Sequence, residues 1–367
     1  MAFSYVRVAR VVIASAVGAS VGLYMLRDRQ EPSAGPPPQV AVTEVSYNPT
    51  QPQDIRLRIT LNGKRGYING SGQVMIEPTY AMAMPFSEGI AAVADRASED
   101  GPPNWRFVDV AGVVVIPRTF VGGQIGTFHE GLAPIQVNGK WGYIANTGET
   151  VIPVQFDAAD DFSEGLAIVR AGRKYGVIDR NGKVILPPTH DFIGHYSNGC
   201  AVFAQHDQFG YLDRNGAVAI KPEFDRASDF SEGLAFVATH RGEKSVGTYV
   251  DVTGKPVFEL QPINGGPFRE GLAMIEPVGG TPHYIDRQGK TAIAAPAGIQ
   301  RAGNFSEGLA AVMIGGRFGF MDRTGQVVIA PQWQFVDEFH RGTCRVNSAD
   351  VRGYINPQGK YIWKLAL

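Results

Sequence analysis

A chain of 367 residues has the length for two or three ordinary domains or for one large β architecture. Its 34 Lys and Arg balance 35 Asp and Glu, so no overall field draws in nucleic acid, and a nucleic-acid partner is not expected. With 45 Gly, 24 Pro and 44% apolar residues, the composition is that of a folded chain of many short elements and many turns.

The first elements in chain order are not part of the globular body. Residues 11–26, VVIASAVGASVGLYML, are uncharged and mostly apolar, with Arg7 and Arg10 before them and Arg27, Asp28 and Arg29 after. Such a run reads as one N-terminal helix, a signal anchor or a signal peptide, over residues 1–29. The small-residue triplet Ala14-Ser15-Ala16 falls too early to leave a full apolar core ahead of a cut, which favours the uncleaved anchor. A Pro-rich linker follows over residues 30–53, with EPSAGPPPQ at its centre. The remaining domain, 54–367, is expected outside the cytoplasmic membrane, or periplasmic or secreted if the signal is cleaved.

Everything after the linker is one motif repeated with variation. The stretch KWGYIANTGETVIPVQFDAADDFSEGLAIV at 140–169 returns as QFGYLDRNGAVAIKPEFDRASDFSEGLAFV at 208–237. A central turn glycine recurs at Gly72, Gly112, Gly148, Gly182, Gly216, Gly254, Gly289, Gly325 and Gly359, at intervals of 34 to 40 residues. Periods of that size mark solenoids, propellers or arrays. Within a unit, Tyr211-Leu212-Asp213, then Arg214-Asn215-Gly216, then Ala217 to Ile220 reads as two short strands joined by a turn that Asp opens and Gly closes. A proline (Pro78, Pro117, Pro153, Pro187, Pro222, Pro296, Pro331) is expected to end the second strand, because it lacks the ladder N–H.

The phrase Phe-Ser-Glu-Gly-Leu-Ala then repeats, its glutamate falling at Glu88, Glu130, Glu164, Glu232, Glu270 and Glu307, with Asn198 and Arg341 in the two other units. A catalytic carboxylate is needed once, with a partner tuned against it. Six equivalent copies point to a turn role, accepting backbone N–H bonds beside the following glycine. The aromatic before it (Phe86, Phe128, Phe162, Tyr196, Phe230, Phe268, Phe305, Phe339) is present in all eight units and reads as a core ladder.

The string Lys140-Trp141-Gly142-Tyr143-Ile144, with the downstream Gly-x-x-Val-Ile-Pro and Phe-Ser-Glu-Gly-Leu-Ala phrases, resembles the WG (KWG) repeat family of bacterial proteins over roughly residues 55–363. Only Trp141 keeps the tryptophan before glycine; Arg65, Tyr175, Phe209, Phe318 and Arg352 replace it elsewhere. The resemblance implies a β-repeat array found in surface and envelope proteins, with no catalytic chemistry to carry over. The expected fold is all-β: eight hairpin repeats plus a C-terminal half repeat in an open, solenoid-like stack, with a seven- to nine-bladed β-propeller as the alternative. Units shorter than a usual blade, and a final hairpin duplicating strands already supplied at the start, favour the open form.

No phosphate loop, His-Glu-x-x-His or Gly-x-Ser-x-Gly motif is present, so no catalytic, cofactor or metal residues are assigned and no cofactor is expected. The unit that departs most from the pattern carries His190, Asp191, His195, Cys200 and His206, whose spacing is too irregular for a metal site. Cys200 and Cys344 stand where other units have small or apolar strand residues and read as core. Insertions at 98–104 and 240–245 lengthen loops between units. The expected function is a non-enzymatic scaffold that binds a protein or a cell-wall or surface glycan through an extended β surface, Trp105, Trp141, Trp333 and Trp363 being the aromatics that would read a glycan. A propeller-type hydrolase or sugar-processing enzyme with a central-channel site is the alternative, and it requires unique polar residues converging from several units.

Overall fold

A computed structural model describes residues 54–96, 101–241, 244–259, 263–277 and 279–366. The N-terminal helix and the Pro-rich linker expected from the sequence lie outside the described residues. Among the described residues no helix is long and apolar enough to cross a membrane. Among the described residues every regular element is a strand, and the strands form nine antiparallel sheets, the blades of a nine-bladed β-propeller.

Blade four shows how a unit is built. A short strand, Ala158–Ala159, leads to Leu166–Ala171, Lys174–Asp179 and Val184–His190, in that order across the sheet. In blade five the turn between the last two strands is opened by Asp213, whose Oδ1 accepts the N–H groups of Asn215 (2.8 Å) and Ala217 (2.9 Å). Gly216 follows at φ +77°, which an L side chain reaches only with strain. The prolines do not end the strands as the sequence suggests: Pro153 lies inside Thr150–Phe156, at a register shift between Ile152 and Phe156. The facing strand accommodates that irregularity with the glycine of the Trp-Gly pair. A Cβ on Gly142 would lie 2.5 Å from the Ile152 carbonyl oxygen and 2.7 Å from the Val154 nitrogen.

The core lies between blades. Leu166 and Ile168 pack with Tyr196 and Phe203 of blade five, while Ala167 and Val169 pack with Tyr143 and Phe156 of blade three. Because both faces of this strand are covered, Leu-Ala-Ile-Val is apolar throughout in place of alternating. Each of the eight apolar clusters joins two consecutive blades. The recurring aromatic sits at these joints: the Tyr143 and Phe162 rings are 4.9 Å apart, and the Tyr143 hydroxyl donates to Asp160 O at 2.7 Å.

The open stack is corrected by the meeting of the chain ends. Turn glycines pack on the preceding blade, Gly148 on Ile116, Gly182 on Ile152 and Gly359 on Ile329. Gly72 of blade one makes the same approach to Ile362 of blade nine, and Tyr354 Oη donates to Arg58 O at 2.8 Å across 296 positions. The final hairpin duplicates nothing. Strands Leu57–Leu61, Lys64–Ile68 and Val74–Tyr80 make blade one, and Phe335–Val336, Cys344–Asn347, Val351–Ile355 and Tyr361–Ala366 make a complete blade nine. The 34-residue spacing suffices because the strands are short and the central hairpin turns in two residues, as between Cys200–Gln205 and Gln208–Asp213. The insertions are also placed differently from the expectation: they extend hairpins inside blades two and six, where Arg96 pairs with Pro103 and His240 with Ser245.

Candidate functional site

The Ser-Glu-Gly-Leu corner connects the short inner strand of a blade to the next. Ser163 N–H donates to Leu166 O (2.9 Å) and Leu166 N–H to Ser163 O (3.1 Å), closing a two-residue turn with Glu164 at φ +53° and Gly165 at +78°. A left-handed glutamate costs roughly 1–2 kcal/mol. Its carboxylate offsets this by reaching the next blade, where Oε2 accepts Gly199 N–H at 2.8 Å. The Ser163 hydroxyl donates to Tyr196 O at 2.9 Å, and Arg214 Nη2 donates to Glu164 O at 2.6 Å. The same relay links Glu88 to Gly131, Glu130 to Gly165, Glu232 to Gly271, Glu270 to Gly308 and Glu307 to Gly342. Asn198 keeps it with its amide oxygen, 2.6 Å from Gly233 N. The turn role expected of the repeated glutamate holds, and the glycine it serves belongs to the following unit.

Glu164→Ala is therefore expected to lower stability by about 1–2 kcal/mol, since it removes a charge-assisted acceptor from a partly buried N–H. Glu164→Asn should cost less, as the Asn198 corner shows. Chemical denaturation of the two variants checks both values.

Just before each aromatic lie two residues on the inner edge of the blade, and here the units differ. They are Met84-Pro85, Gly126-Thr127, Asp160-Asp161, Gly194-His195, Ser228-Asp229, Gly266-Pro267, Gly303-Asn304 and Asp337-Glu338. The second residue of one pair sits over the first of the pair before it. A Cβ on Gly126 would be 3.3 Å from Asp161 Oδ1, and one on Gly194 would be 3.2 Å from Asp229 Oδ1. Blades three to six thus bring together His129, Asp160, Asp161, His195 and Asp229. His129 Nε2 lies 3.4 Å from Asp161 Oδ2, and His195 acts electrostatically on Asp160, Asp161 and Asp229. Burial pushes all three carboxyls above the usual carboxylate range, the imidazoles opposing it. Asp229 Oδ1 is buried with no hydrogen-bond partner in the structure. The group is still reachable from solvent, because the Asp161 and His129 side chains keep 41% and 44% of their surface.

This convergence has the form a central-channel enzyme requires, but its wiring is not that of a relay. Thr127 Oγ1 lies 3.0 Å from His129 Nε2, the same ring nitrogen that faces Asp161. A nucleophile–base–acid chain needs the two on opposite nitrogens. Among the described residues no group of His, Cys, Asp and Glu is arranged to hold a metal ion. A cavity of 810 Å³ opens where blades nine, one, two and three meet, lined by residues that include Arg58, Phe86, Glu88, Glu338 and Tyr354, and by His129 of the cluster itself.

The residues singled out in the sequence divide between these places. His190, Asp191 and His206 line a 340 Å³ surface pocket at the hairpin-tip end of blades four and five, where Lys174 Nζ holds Asp191 at 2.6 Å. His195 joins the inner-edge cluster, and Cys200 and Cys344 are buried. Burial pushes the Cys344 thiol up to about 12, so it is not a reactive thiolate. Trp105 and Trp333 are core residues at 3% and 1% exposure, which removes them as glycan platforms; Trp141 and Trp363 are half-buried. Asp160, Asp161 and Asp229 were missed, although the signal was present: ionisable residues, shared with Asp337-Glu338 of blade nine, at a pair of positions where most other units have Gly, Pro, Thr, Ser, Met or Asn.

The family model described as WG containing repeat matches residues 66–94, 105–141, 141–175, 175–207, 209–239, 284–318 and 318–348, more than half of the chain. The chain belongs to the WG containing repeat family. The WG repeat match skips residues 240–283, the stretch of the lengthened hairpin in blade six and the short outer strand Pro256–Glu259. Against curated protein sequences this WG repeat chain has no match. In fold it is similar to the crystal structure of the eukaryotic initiation factor, with a TM-score of 0.53 and 10% identity, covering 75% of this chain and 84% of that one. Two further solved structures are KlHsv2 with loop 6CD replaced by a Gly-Ser linker (TM-score 0.35, 11% identity, 76% of this chain and 94% of that one) and the extracellular domain of the hybrid two-component system BT3049 from B. thetaiotaomicron (TM-score 0.31, 12% identity, 88% and 59%).

Proposed function

We propose that this WG repeat protein is a non-enzymatic scaffold of the bacterial cell envelope, anchored through residues 11–26, that binds a protein or glycan partner at the inner-edge face of its propeller. One observation carries the reading. The recurring serines, glutamates and tyrosines are engaged in blade-to-blade bonds, while side chains that break the repeat gather on the inner edge of blades four to six, at Asp160, Asp161, His195 and Asp229, with Asp337 and Glu338 at the same positions of blade nine. Polar groups that a fold does not need, held together against their own repulsion, mark a surface kept for recognition. The convergence also favours the second reading, a channel enzyme, which the shared Nε2 of His129 speaks against.

Full-length protein and a His195→Ala variant, each used to capture partners from solubilised envelope and incubated with cell-wall fragments, separate the two readings. Capture of a defined partner that the variant loses, with no product released by either protein, is the expected result. Release of soluble fragments by the wild type and not by the variant would overturn the scaffold in favour of the hydrolase. A C-terminal reporter active only in the cytoplasm would overturn the localisation.

A further inference from the structure

Blades two to nine each carry a segment of chain along the inner side of the strand that follows the corner, as Ala158–Ala159 lies on Leu166–Ala171, or as the Ile125–Ile135 bridge does in blade three. In blade one the sheet begins, among the described residues, at Leu57–Leu61 itself. Leu57 pairs with Ile68 as Ala167 pairs with Ile178, so Arg58 and Thr60 correspond to Ile168 and Arg170. In blade four the carbonyls of those two residues accept Asp160 N–H and Asp157 N–H. Arg58 and Thr60 therefore turn their backbone groups to the inner side, where no strand meets them among the described residues. The tyrosines register the same difference. Tyr67 donates to Met84 O and Tyr211 to Ser228 O, both on the inner segment of the next blade, whereas Tyr354 donates to Arg58 O directly.

The 810 Å³ cavity runs beside this edge, and its charges are uneven. Its carboxylates are engaged: Glu88 with Gly131 N–H, Asp337 with Arg345 at 2.9 Å, and Glu338 with the Asn304 amide at 3.1 Å. Arg58 stands where blades four, five and six have Ile168, Val202 and Phe236. It donates to Ala83 O at 2.8 Å, and no ion pair with a carboxylate joins it among the described residues. Arg345 holds the same place in blade nine, and both guanidinium groups act on the Tyr354 phenol between them. The two blades at the seam thus replace an apolar position with arginine where the sheet edge is open.

We propose that this edge takes an extended acidic peptide of a partner protein, which adds along Leu57–Leu61 as the inner strand of blade one and sets a carboxylate on Arg58. The site deepens the scaffold reading, on which it rests, by giving the partner a chemistry. Strand addition supplies main-chain bonds at Arg58 and Thr60, and the guanidinium fork supplies selectivity for a carboxylate. Counted as in blade four, the chain's own residues for this place are Tyr47, Asn48, Pro49 and Thr50, which bring no carboxylate.

Selection from a displayed library of random hexapeptides, with the full-length protein in detergent as bait, tests the site. The enriched sequences should share Asp or Glu. One of them, synthesised with both ends blocked, should bind the wild type roughly tenfold more tightly than Arg58→Gln, with Arg58→Lys in between, and its Lys counterpart should not bind. Amide exchange should show Arg58 and Thr60 exchanging fast in the free protein and protected by the peptide, with Ile59 protected throughout. Enrichment without acidic residues, or equal affinity for Arg58→Gln, would overturn the site. So would edge amides already protected in the free protein, since the chain would then cover its own edge. An empty selection alongside an envelope partner that His195→Ala still loses would remove this site and leave the scaffold standing.

Discussion

Gly142→Ala is expected to destabilise the propeller by about 3 kcal/mol, at the upper end of overpacking costs, with a fall of roughly 5 °C in the thermal midpoint. The backbone at Gly142 needs no positive φ, so conformational strain contributes nothing. The cost comes from contact: the new Cβ would meet Ile152 O at 2.5 Å, Val154 N at 2.7 Å and the Pro153 carbonyl carbon at 2.8 Å. Those are backbone atoms of the facing strand, which cannot swing aside as a side chain would. The close approach exists because the facing strand changes register around Pro153, drawing the two backbones together. Gly176, Gly210 and Gly319 have the same surroundings, with the nearest atoms at 2.5, 2.5 and 2.3 Å, so an alanine at any of them should behave alike. Gly139→Ala, at a hairpin tip where a Cβ meets nothing within 4 Å, isolates the strain of a positive φ and should cost less. Equal losses at Gly142 and Gly139, measured by thermal and denaturant unfolding, would show that the strands do not approach as described.

This glycine explains the pattern after which the family is named better than its tryptophan does. Only Trp141 keeps the aromatic indole, and the fold tolerates Arg65, Tyr175, Phe209 or Phe318 in its place, whereas the glycine beside it is held by the facing backbone. That repetition made the turns, the buried aromatic ladder and the structural role of Glu164 legible in the sequence, because an element copied through the chain must serve the contact that is copied with it. Seven of the eight ladder aromatics are buried; Phe86, beside the cavity at the seam, is partly exposed. Closure was not legible. Whether successive hairpins form a rod or a ring depends on a small rotation from one to the next, summed over the chain, and no single residue encodes it. Nor was the phase of the repeat, since taking Lys-Trp-Gly as the start of a unit splits blade nine and makes its last hairpin look superfluous. Asp160 and Asp161 were hidden by the phrase they precede, and Asp229 by its distance of 68 positions from Asp161, although Gly194 and His195 of the blade between bridge the two.

Gly72→Ala is the substitution that tests the ring itself. Two costs add there. At φ +84° an alanine carries roughly 1–2 kcal/mol of left-handed strain, and its Cβ would stand 2.1 Å from the carbonyl oxygen of Ile362, in a blade that follows 290 positions later in the chain. The first cost arises in any architecture with this turn; the second exists only if blade nine closes on blade one. Gly63→Ala supplies the reference, because it has a similar φ of +75° and open space around it. In a closed propeller Gly72→Ala should therefore lose about 3 kcal/mol and Gly63→Ala about 1 kcal/mol. The scattering profile of Gly72→Ala should also broaden towards larger dimensions as the seam between the terminal blades yields, while that of Gly63→Ala matches the wild type. Indistinguishable stabilities and profiles for the two variants would mean that Ile362 does not lie against Gly72 in solution, and the nine blades would then form an open arc.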